Sequence, residues 1–355
     1  GRLDNGRVRA TFDKEGRLVQ LLVDGEEVAL TGPAEIWSYP DNPHEYDCWD
    51  IDRQTLSLGK PLQTNASFSR AGKDAGGAFL RYEQPLGQAS HLVTTYRLRP
   101  GSPVLAVEHR IDWREKETLL KMVVPTAYAG THARFGSPFG SVRRTQQAGD
   151  AKAEAMFEVP ASRWAVVADD SEYRGLFVVT ENNYGFTARD GALGISLLRA
   201  AHLPWVDKDK ELARELPASD FSDTGQTQTI RYALGHYKAE LPREEMPPAL
   251  AESLFTQPLS YKGKPWSSAF LGLEGGPSLQ PVWTQPVEDG FILRLHETLG
   301  RLGQCRVLLR DGASVERVHM DGRPWEGEDA RDGFDPASGL LRFRGHRVYS
   351  LKVKL

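Results

Sequence analysis

The sequence predicts an all-β protein built from antiparallel sheets, and three observations support that prediction. First, 34 glycines and 22 prolines interrupt the 355 residues so often that few windows are long enough for a three-turn helix. Second, apolar and polar residues alternate, as in the run VRATF from Val8 to Phe12. Third, Asp-Gly pairs favour the positive φ of tight hairpin turns. These pairs begin at Asp24, Asp190, Asp289, Asp311, Asp321 and Asp332.

Strand patterns follow one another through the first two thirds of the chain. The opening run leads through the turn DKEG into a second apolar run at residues 18–23. Further strands are predicted where β-branched and aromatic residues cluster. They cover residues 79–82, 91–99, 104–113, 119–124, 164–168 and 176–180.

A change in composition marks a boundary between two domains. After residue 238 the alternation lapses into a stretch rich in proline, glutamate and lysine, where one short helix is predicted at residues 247–255. We therefore divide the chain into a large β-sandwich at residues 1–240, a linker with the helix at 241–265, and a small C-terminal β-sandwich at 266–355.

Charge and cysteine content exclude several classes of partner. Lysine and arginine total 44 against 48 acidic residues, a net charge of -4 with both signs mixed, so we expect neither nucleic acid nor a membrane surface as a partner. The two cysteines, Cys48 and Cys305, form neither a disulfide framework nor a zinc motif. A reducing cytoplasm is therefore the expected location.

A search for catalytic residues predicts none, and no metal ligands either. None of the nine histidines is paired at the i, i+2 spacing of a strand or the i, i+4 spacing of a helix, so each is expected to be structural or on the surface. No nucleophile elbow, phosphate-binding loop or dinucleotide motif occurs in a suitable context.

The segment NPHEYDCWDID, residues 42–52, is the first candidate for ligand binding. Tyr46 and Trp49 offer flat apolar faces, while Asp47, Asp50 and Asp52 offer acceptors, a combination that suits a sugar ring and its hydroxyls. In the alternative interpretation, the aromatic residues plug the edge of the sandwich and the acids cap turns.

A second candidate region begins at ENNYGF, residues 181–186, and ends in a long loop. Arg199 closes a predicted buried strand, where its forked donors can anchor a loop or hold a carboxylate or a sugar hydroxyl. Residues 205–228 are charged and without strand alternation, so we expect a structureless loop that projects toward a site and carries Asp223 and Gly225.

These segments resemble the C-terminal β region of α-mannosidases of glycoside hydrolase family 38. The matches run in order along almost the whole chain, and YDCWDID is similar to the family's Tyr-Trp-Asp-Ala-Trp-Asp-Val-Asp. The others are LDNGRVRATFDKEGRLVQLLVDGEEV, VEHRIDWREKETLLKMVVP, FGSVRRT, FEVPASRWAVVAD, NNYGFTARDGALGISLLRAAHLP and GFILRLHETLG.

The resemblance implies a galactose-mutarotase-like antiparallel β-supersandwich followed by a smaller β-sandwich. It also implies a role in retaining hydrolysis of terminal α-mannosyl linkages, in glycan and mannose catabolism. In the family, an N-terminal barrel holds a divalent metal, usually zinc, and an aspartate nucleophile, and a helical domain joins it to the β region. No cofactor or metal is expected in this chain, which would be inactive alone because the matching catalytic motifs lie upstream of Gly1.

The resemblance further implies that the barrel and the helical domain of the same enzyme are this chain's partners. It also implies a mannose-containing glycan as ligand and leaves a homo-oligomer open as the assembly state. Some loops of the β region would reach the rim of the sugar site. The substrate-binding residues expected on this basis are Tyr46, Asp47, Trp49, Asp52, Arg199, Asp223 and Gly225.

Two other functions remain open from the sequence. A free-standing carbohydrate-binding module would use Tyr46 and Trp49 as an exposed platform. A mutarotase-type sugar epimerase would need a histidine acid and a glutamate base facing each other across strands, and the sequence identifies no such pair.

Overall fold

The structure is a computed structural model that describes residues 1–44, 50–62, 65–201, 225–257, 260, 262–263, 269–327 and 332–354. The described chain is mostly antiparallel β-structure. It forms two compact units, Gly1–Arg134 with Arg143–Ala239, and Phe135–Val142 with Glu240–Leu355. No helix in the described ranges is both long and apolar enough to cross a membrane.

The strands of the first part of the chain alternate with short turns. Strands β1 to β9 are Arg2–Asp4, Val8–Phe12, Leu18–Val23, Glu26–Glu27, Glu35–Pro40, Lys60–Pro61, Ser67–Asp74, Gly77–Leu86 and Ser90–Leu98. Strands β10 to β13 are Leu105–Asp112, Thr118–Val124, His132–Ser137 and Gly140–Thr145, and helix α1 is Ala151–Ala155. Strands β14 to β19 are Val159–Pro160, Trp164–Ala168, Arg174–Thr180, Gly185–Arg189, Ala192–Ala200 and Thr227–Lys238. The six strands predicted between residues 79 and 180 are confirmed.

Three sheets contain the strands of the first unit, and the second of these sheets also includes residues 135–142. Their strand orders are β1-β2-β3-β4, β13-β12-β15-β16-β19-β10-β9-β8-β7 and β14-β17-β18-β11-β5-β6. Ile36 and Met122 of the six-stranded sheet line one small cavity with Tyr82, Tyr96 and His109 of the nine-stranded sheet, so these two sheets pack face to face.

Residues 227 and 228, predicted to belong to a structureless loop, are instead the first two residues of β19. The antiparallel ladder between β10 and β19 extends over eight residue pairs, so Thr227 and Gln228 pair with the last two residues of β10. Residues 205–224 of the predicted loop lie outside the described residues.

The second unit contains a smaller sandwich. Helix α2 is Pro247–Phe255, the range that the sequence predicts, and it begins with two prolines. Strands β20 to β27 are Phe270–Glu274, Leu279–Val287, Gly290–Glu297, Gly303–Leu309, Ser314–Val318, Phe334–Asp335, Leu340–Phe343 and Val348–Lys354. They form the sheets β20-β23-β26-β25 and β21-β22-β27-β24, whose apolar faces share a core that includes Leu279, Leu295 and Leu351.

The Asp-Gly prediction holds at most positions but not at all of them. At Asp24 and Asp190 the following glycines have φ of 81° and 82° and close hairpins between paired strands. The turn at Asp311 instead joins β23 to β24, which belong to different sheets. At Asp332 the predicted positive φ is wrong, because Gly333 is not among the glycines with positive φ, and the Asp332 carboxylate is buried in an ion pair with Arg317 at 3.1 Å.

Candidate functional site

The candidate site lies on the face of the six-stranded sheet that points away from the nine-stranded sheet, here called the outer face. Lys121 on β11 pairs with Trp37 on β5 and with Ser196 on β18, so these three side chains share that face. The register shifts between Leu120 and Lys121. This bulge lets Arg199 join Ser196 on the outer face, although residues three apart in a regular strand face opposite ways.

Arg199 is a structural clamp at one end of the outer face. Its Nε donates to Asp41 Oδ2 at 2.6 Å and its Nη2 to Asp41 Oδ1 at 2.9 Å. Nη2 also donates to the carbonyl oxygen of Asp50. Asp41 is the residue after the end of β5, and its side chain is fully buried. One guanidinium therefore fixes the chain at residues 41 and 50, as the anchoring interpretation predicts.

Asp52 caps a turn near this clamp. Its Oδ2 accepts hydrogen bonds from the backbone N–H of His44 and from the amide of Gln54, both at 3.1 Å. This is the role that the alternative interpretation gives to the acids of residues 42–52. Of the other predicted site residues in this segment, Tyr46, Asp47 and Trp49 lie outside the described residues.

Gly225 lies in a turn just before β19, beside the end of β10, rather than on the outer face. Its N–H donates to the carbonyl oxygen of Trp113 at 2.8 Å, and its φ of 79° favours glycine at this position. The neighbouring prediction, Asp223, falls outside the described residues. The structure thus brings Arg199 and Asp52 to one region, whereas Gly225 serves as a turn before β19.

The sequence analysis missed a buried charged cluster in the middle of the outer face. The Lys121 side chain is fully buried, and its Nζ donates to Glu158 Oε2 and, at 2.8 Å, to Ser196 Oγ. Ser196 Oγ in turn donates to Glu158 Oε1. Burial lowers the pKa of Lys121, and the nearby Glu158 carboxylate opposes that effect. A lysine inside the apolar run LLKMVV was the signal that could have identified this cluster.

Tyr39 belongs to the same electrostatic environment. Its side chain stacks beside Trp37 with ring centroids 6.2 Å apart, and it is buried. Burial raises the pKa of Tyr39, and the negative charge of Glu158 adds to the rise. The phenol therefore stays protonated at all physiological pH values.

The two carboxylates described at the outer face, Asp41 and Glu158, are each held in an ion pair. Retaining glycoside hydrolysis uses two carboxylates about 5 Å apart, one a nucleophile and one exchanging a proton. Here Asp41 is paired with Arg199 and Glu158 with Lys121. In both pairs the cation occupies carboxylate oxygens, which opposes nucleophilic attack by them.

His109 is a structural histidine in the interior of the first unit. Its Nδ1 lies 3.0 Å from Thr94 Oγ1 and its Nε2 lies 2.8 Å from Tyr232 OH, so both ring nitrogens are engaged. Burial lowers its pKa to about 3. His109 therefore has no nitrogen left for a metal ion or a substrate.

The cavity that His109 lines also contains two glutamates, but they do not make an acid–base pair with it. Arg17 holds Glu35 at 2.6 Å and Glu15 at 3.1 Å. The His and Glu arrangement that an epimerase requires is therefore not formed by these described residues. Elsewhere in the described ranges, no three His, Cys, Asp or Glu side chains are placed to share a metal ion.

Replacing Arg199 by lysine is expected to lower the free energy of unfolding by about 1 to 3 kcal/mol, because an ammonium cannot supply the forked hydrogen bonds to buried Asp41. Urea denaturation measures this loss. Arg189→Lys is the matched control, since Arg189 is an exposed arginine in a 3.5 Å surface pair. Equal small losses in both variants would show that the fork is not needed.

Comparison with known proteins gives one family and several relatives. Residues 3–207 match the model of the glycosyl hydrolases family 38 C-terminal domain. Human alpha-mannosidase 2C1 is 28% identical over 317 residues, which cover 85% of this chain and 29% of the relative. Alpha-mannosidase G from Dictyostelium discoideum is 26% identical over 56% of this chain and 18% of the relative.

A solved α-mannosidase structure from Enterococcus faecalis shows the same fold. It superposes on 99% of this chain, and on 42% of its own chain, with a TM-score of 0.71 and 13% sequence identity. The predicted all-β architecture of a large antiparallel supersandwich followed by a smaller sandwich is thereby confirmed. The chain spans less than half the length of these relatives. On the match over residues 3–207, this chain belongs to the family of glycosyl hydrolase family 38 C-terminal domains.

Proposed function

We propose that this chain is the C-terminal, non-catalytic portion of an α-mannosidase that hydrolyses terminal α-mannosyl linkages with retention. In this proposal it packs on an N-terminal catalytic barrel and lines part of the barrel's substrate site. The observation that carries the proposal is the family match over residues 3–207, joined to relatives whose printed names are α-mannosidases and of which this chain spans less than half.

The contacts on the outer face favour a structural role for this chain in the proposed enzyme. Among the described residues there, Arg199 binds Asp41, and Lys121 binds Glu158 and Ser196. Closed ion pairs hold strands and loop ends in fixed positions, which is what a wall of a binding site requires. Glycan contact by residues 42–52, including Tyr46 and Trp49, remains part of the proposal.

The divalent metal that the resemblance implies is assigned to the barrel and not to this chain. The described residues do not fit such a group, because their histidines and carboxylates do not converge, and His109 is fully engaged by Thr94 and Tyr232. A cytoplasmic location is also proposed. It is supported by the free, buried thiol of Cys305, whose pKa burial raises to about 11.

An activity assay tests the proposal. The isolated chain, incubated with an aryl α-mannoside and zinc, is expected to show no turnover, because the groups that perform the chemistry belong to the barrel. The same chain joined to the catalytic barrel of its own enzyme is expected to release the aryl group at a measurable rate.

A second arm identifies which part of the proposal fails. Turnover by the isolated chain that one point mutation abolishes would contradict the non-catalytic role. Binding of methyl α-mannoside by the isolated chain, without turnover in either form, would instead favour the free-standing carbohydrate-binding module.

A further inference from the structure

Arg294 is a charged residue buried on the side of a sheet that faces away from the core of the terminal sandwich. It lies on β22 between Leu293 and Leu295, which point into that core. Its neighbours across the sheet are Trp283 on β21 and Ser350 on β27. Only 6% of Arg294 is exposed. A guanidinium in such a position needs acceptors for its five N–H groups.

The described structure satisfies only part of this requirement. Arg294 Nη2 donates to Gln285 Oε1 at 2.9 Å and to the carbonyl oxygen of Met320 at 2.8 Å. The Nε and Nη1 atoms are buried and have no hydrogen-bond partner among the described residues. Leaving such donors unpaired is costly, since they have given up water without gaining another acceptor.

The positive charge of Arg294 is also without a carboxylate in the described ranges. The nearby Lys352 on the same face already pairs with Asp289 at 2.9 Å. The ring of Trp283, 4.9 Å from the guanidinium carbon, compensates part of the charge through a cation–π contact. A buried cation with a ring on one side and free N–H groups is better matched by an oxyanion than by a neutral hydroxyl, because only the oxyanion neutralises it.

An oxyanion can reach Arg294 without any opening of the sheet. The Trp283 ring beside the guanidinium belongs to a side chain that is 57% exposed. Exposed side chains change rotamer within nanoseconds, and β21 is an edge strand of its sheet. Movement of the Trp283 side chain, which lies over the guanidinium, is therefore the route by which we expect an oxyanion to approach Arg294.

We propose that Arg294, with Trp283 as a neighbouring platform, forms an oxyanion-binding site on the terminal sandwich that takes a carboxylate or phosphate group. The ligand's oxygens accept hydrogen bonds from the N–H groups that the described residues leave free. Arg294 lies in the second unit, whereas the outer face discussed for the proposed function lies in the first unit. The oxyanion site is therefore an addition to the proposed mannosidase role and does not depend on it.

The test titrates the full chain with inorganic phosphate and, separately, with acetate, at ionic strength held constant with chloride. In each titration, thermal unfolding and the Nε–Hε NMR signal of Arg294 are followed. A saturable rise in melting temperature is expected, corresponding to about a 100-fold gain in the folding constant at 100 times the dissociation constant. The Arg294 signal should shift with the same midpoint. A response to phosphate alone or to acetate alone identifies which of the two groups the site takes.

Two variants separate specific binding from the general stabilisation that excluded salts produce. Arg294→Met should lose the saturable part of the response, while Arg323→Met, which removes a largely exposed arginine paired with Asp321, should keep it. If Arg294→Met does not fold, Arg294→Lys and the NMR titration of the unmodified chain decide the matter.

Three results would overturn the proposal. One is an Arg294 signal that stays unchanged at saturating phosphate and acetate. Another is a saturable response that survives in Arg294→Met. The third is a shift of the Arg294 signal by methyl α-mannoside but by neither anion, which would identify a neutral sugar site. None of these readouts requires mannosidase turnover, so they are independent of the activity assay.

Discussion

Lowering the pH from 7 toward 4 is expected to destabilise the folded chain through His109. This histidine is completely buried, and burial lowers its pKa from the ordinary value of 6.5 to about 3. Below pH 6.5 the unfolded chain gains a proton there that the folded chain does not, so the free energy of unfolding falls as the pH falls. The loss approaches about 1.4 kcal/mol per pH unit, and about 4 to 5 kcal/mol over the whole interval down to pH 3.

Urea denaturation at pH 7, 6, 5 and 4 measures this dependence. His109→Gln removes the titration while retaining a donor and an acceptor near Thr94 and Tyr232, so its free energy of unfolding should fall less steeply below pH 6.5. His132→Gln is the control, because His132 is only half-buried. Parallel curves for the unmodified chain and His109→Gln would show that His109 does not resist protonation.

Replacing Lys121 by methionine is expected to destabilise the chain by about 3 to 5 kcal/mol, because it leaves the Glu158 carboxylate without its cation in a mostly buried position. Glu158→Gln should cost a similar amount, since the buried ammonium then lacks its anion. The double variant should cost less than the sum of the two single variants. A double-mutant cycle from urea denaturation at pH 7 measures this coupling.

The pH dependence of Glu158→Gln has a defined sign. Burial already lowers the pKa of Lys121, and loss of Glu158 removes the group that raises it. The folded variant therefore binds fewer protons than the unfolded chain at alkaline pH, and its stability should recover as the pH rises toward 10.

The exposed ion pair between Arg231 and Glu108 is the control for the double-mutant cycle, because its disruption should cost no more than about 1 kcal/mol. Additive losses at Lys121 and Glu158 would show that the two charges are not coupled.

The strands were predictable because local patterns specify them. The apolar run at residues 119–124 predicts β11, and burial on both faces confirms that it is an interior strand. The same run does not reveal what Lys121 contacts. Its partner Glu158 lies 37 residues further along the chain, and only the tertiary fold brings the two together. Local composition therefore identifies the strand but not the charged cluster on it.

At two other positions the structure differs from the sequence-based prediction, or adds to it, because of contacts between residues far apart in the sequence. Asp332 precedes a glycine, and local turn chemistry favours a positive φ there, but Gly333 does not adopt one, and Asp332 instead contacts Arg317, fifteen residues earlier in the chain. Arg199 was identifiable from the end of a buried strand. Its partner Asp41 was not, because 158 residues separate them. In each case the missing information is a contact between distant parts of the sequence.

The place of β19 in the nine-stranded sheet limits the order in which the chain can fold. This strand lies between β10 and β16, yet it is made from residues 227–238, long after both neighbours. During synthesis, β10 and β16 therefore leave the ribosome with open edges that cannot be joined until the last of the three emerges. Such late, non-local pairing slows folding and leaves unfinished sheet edges open to aggregation. Newly made chains are thus most vulnerable before residue 238 has been translated.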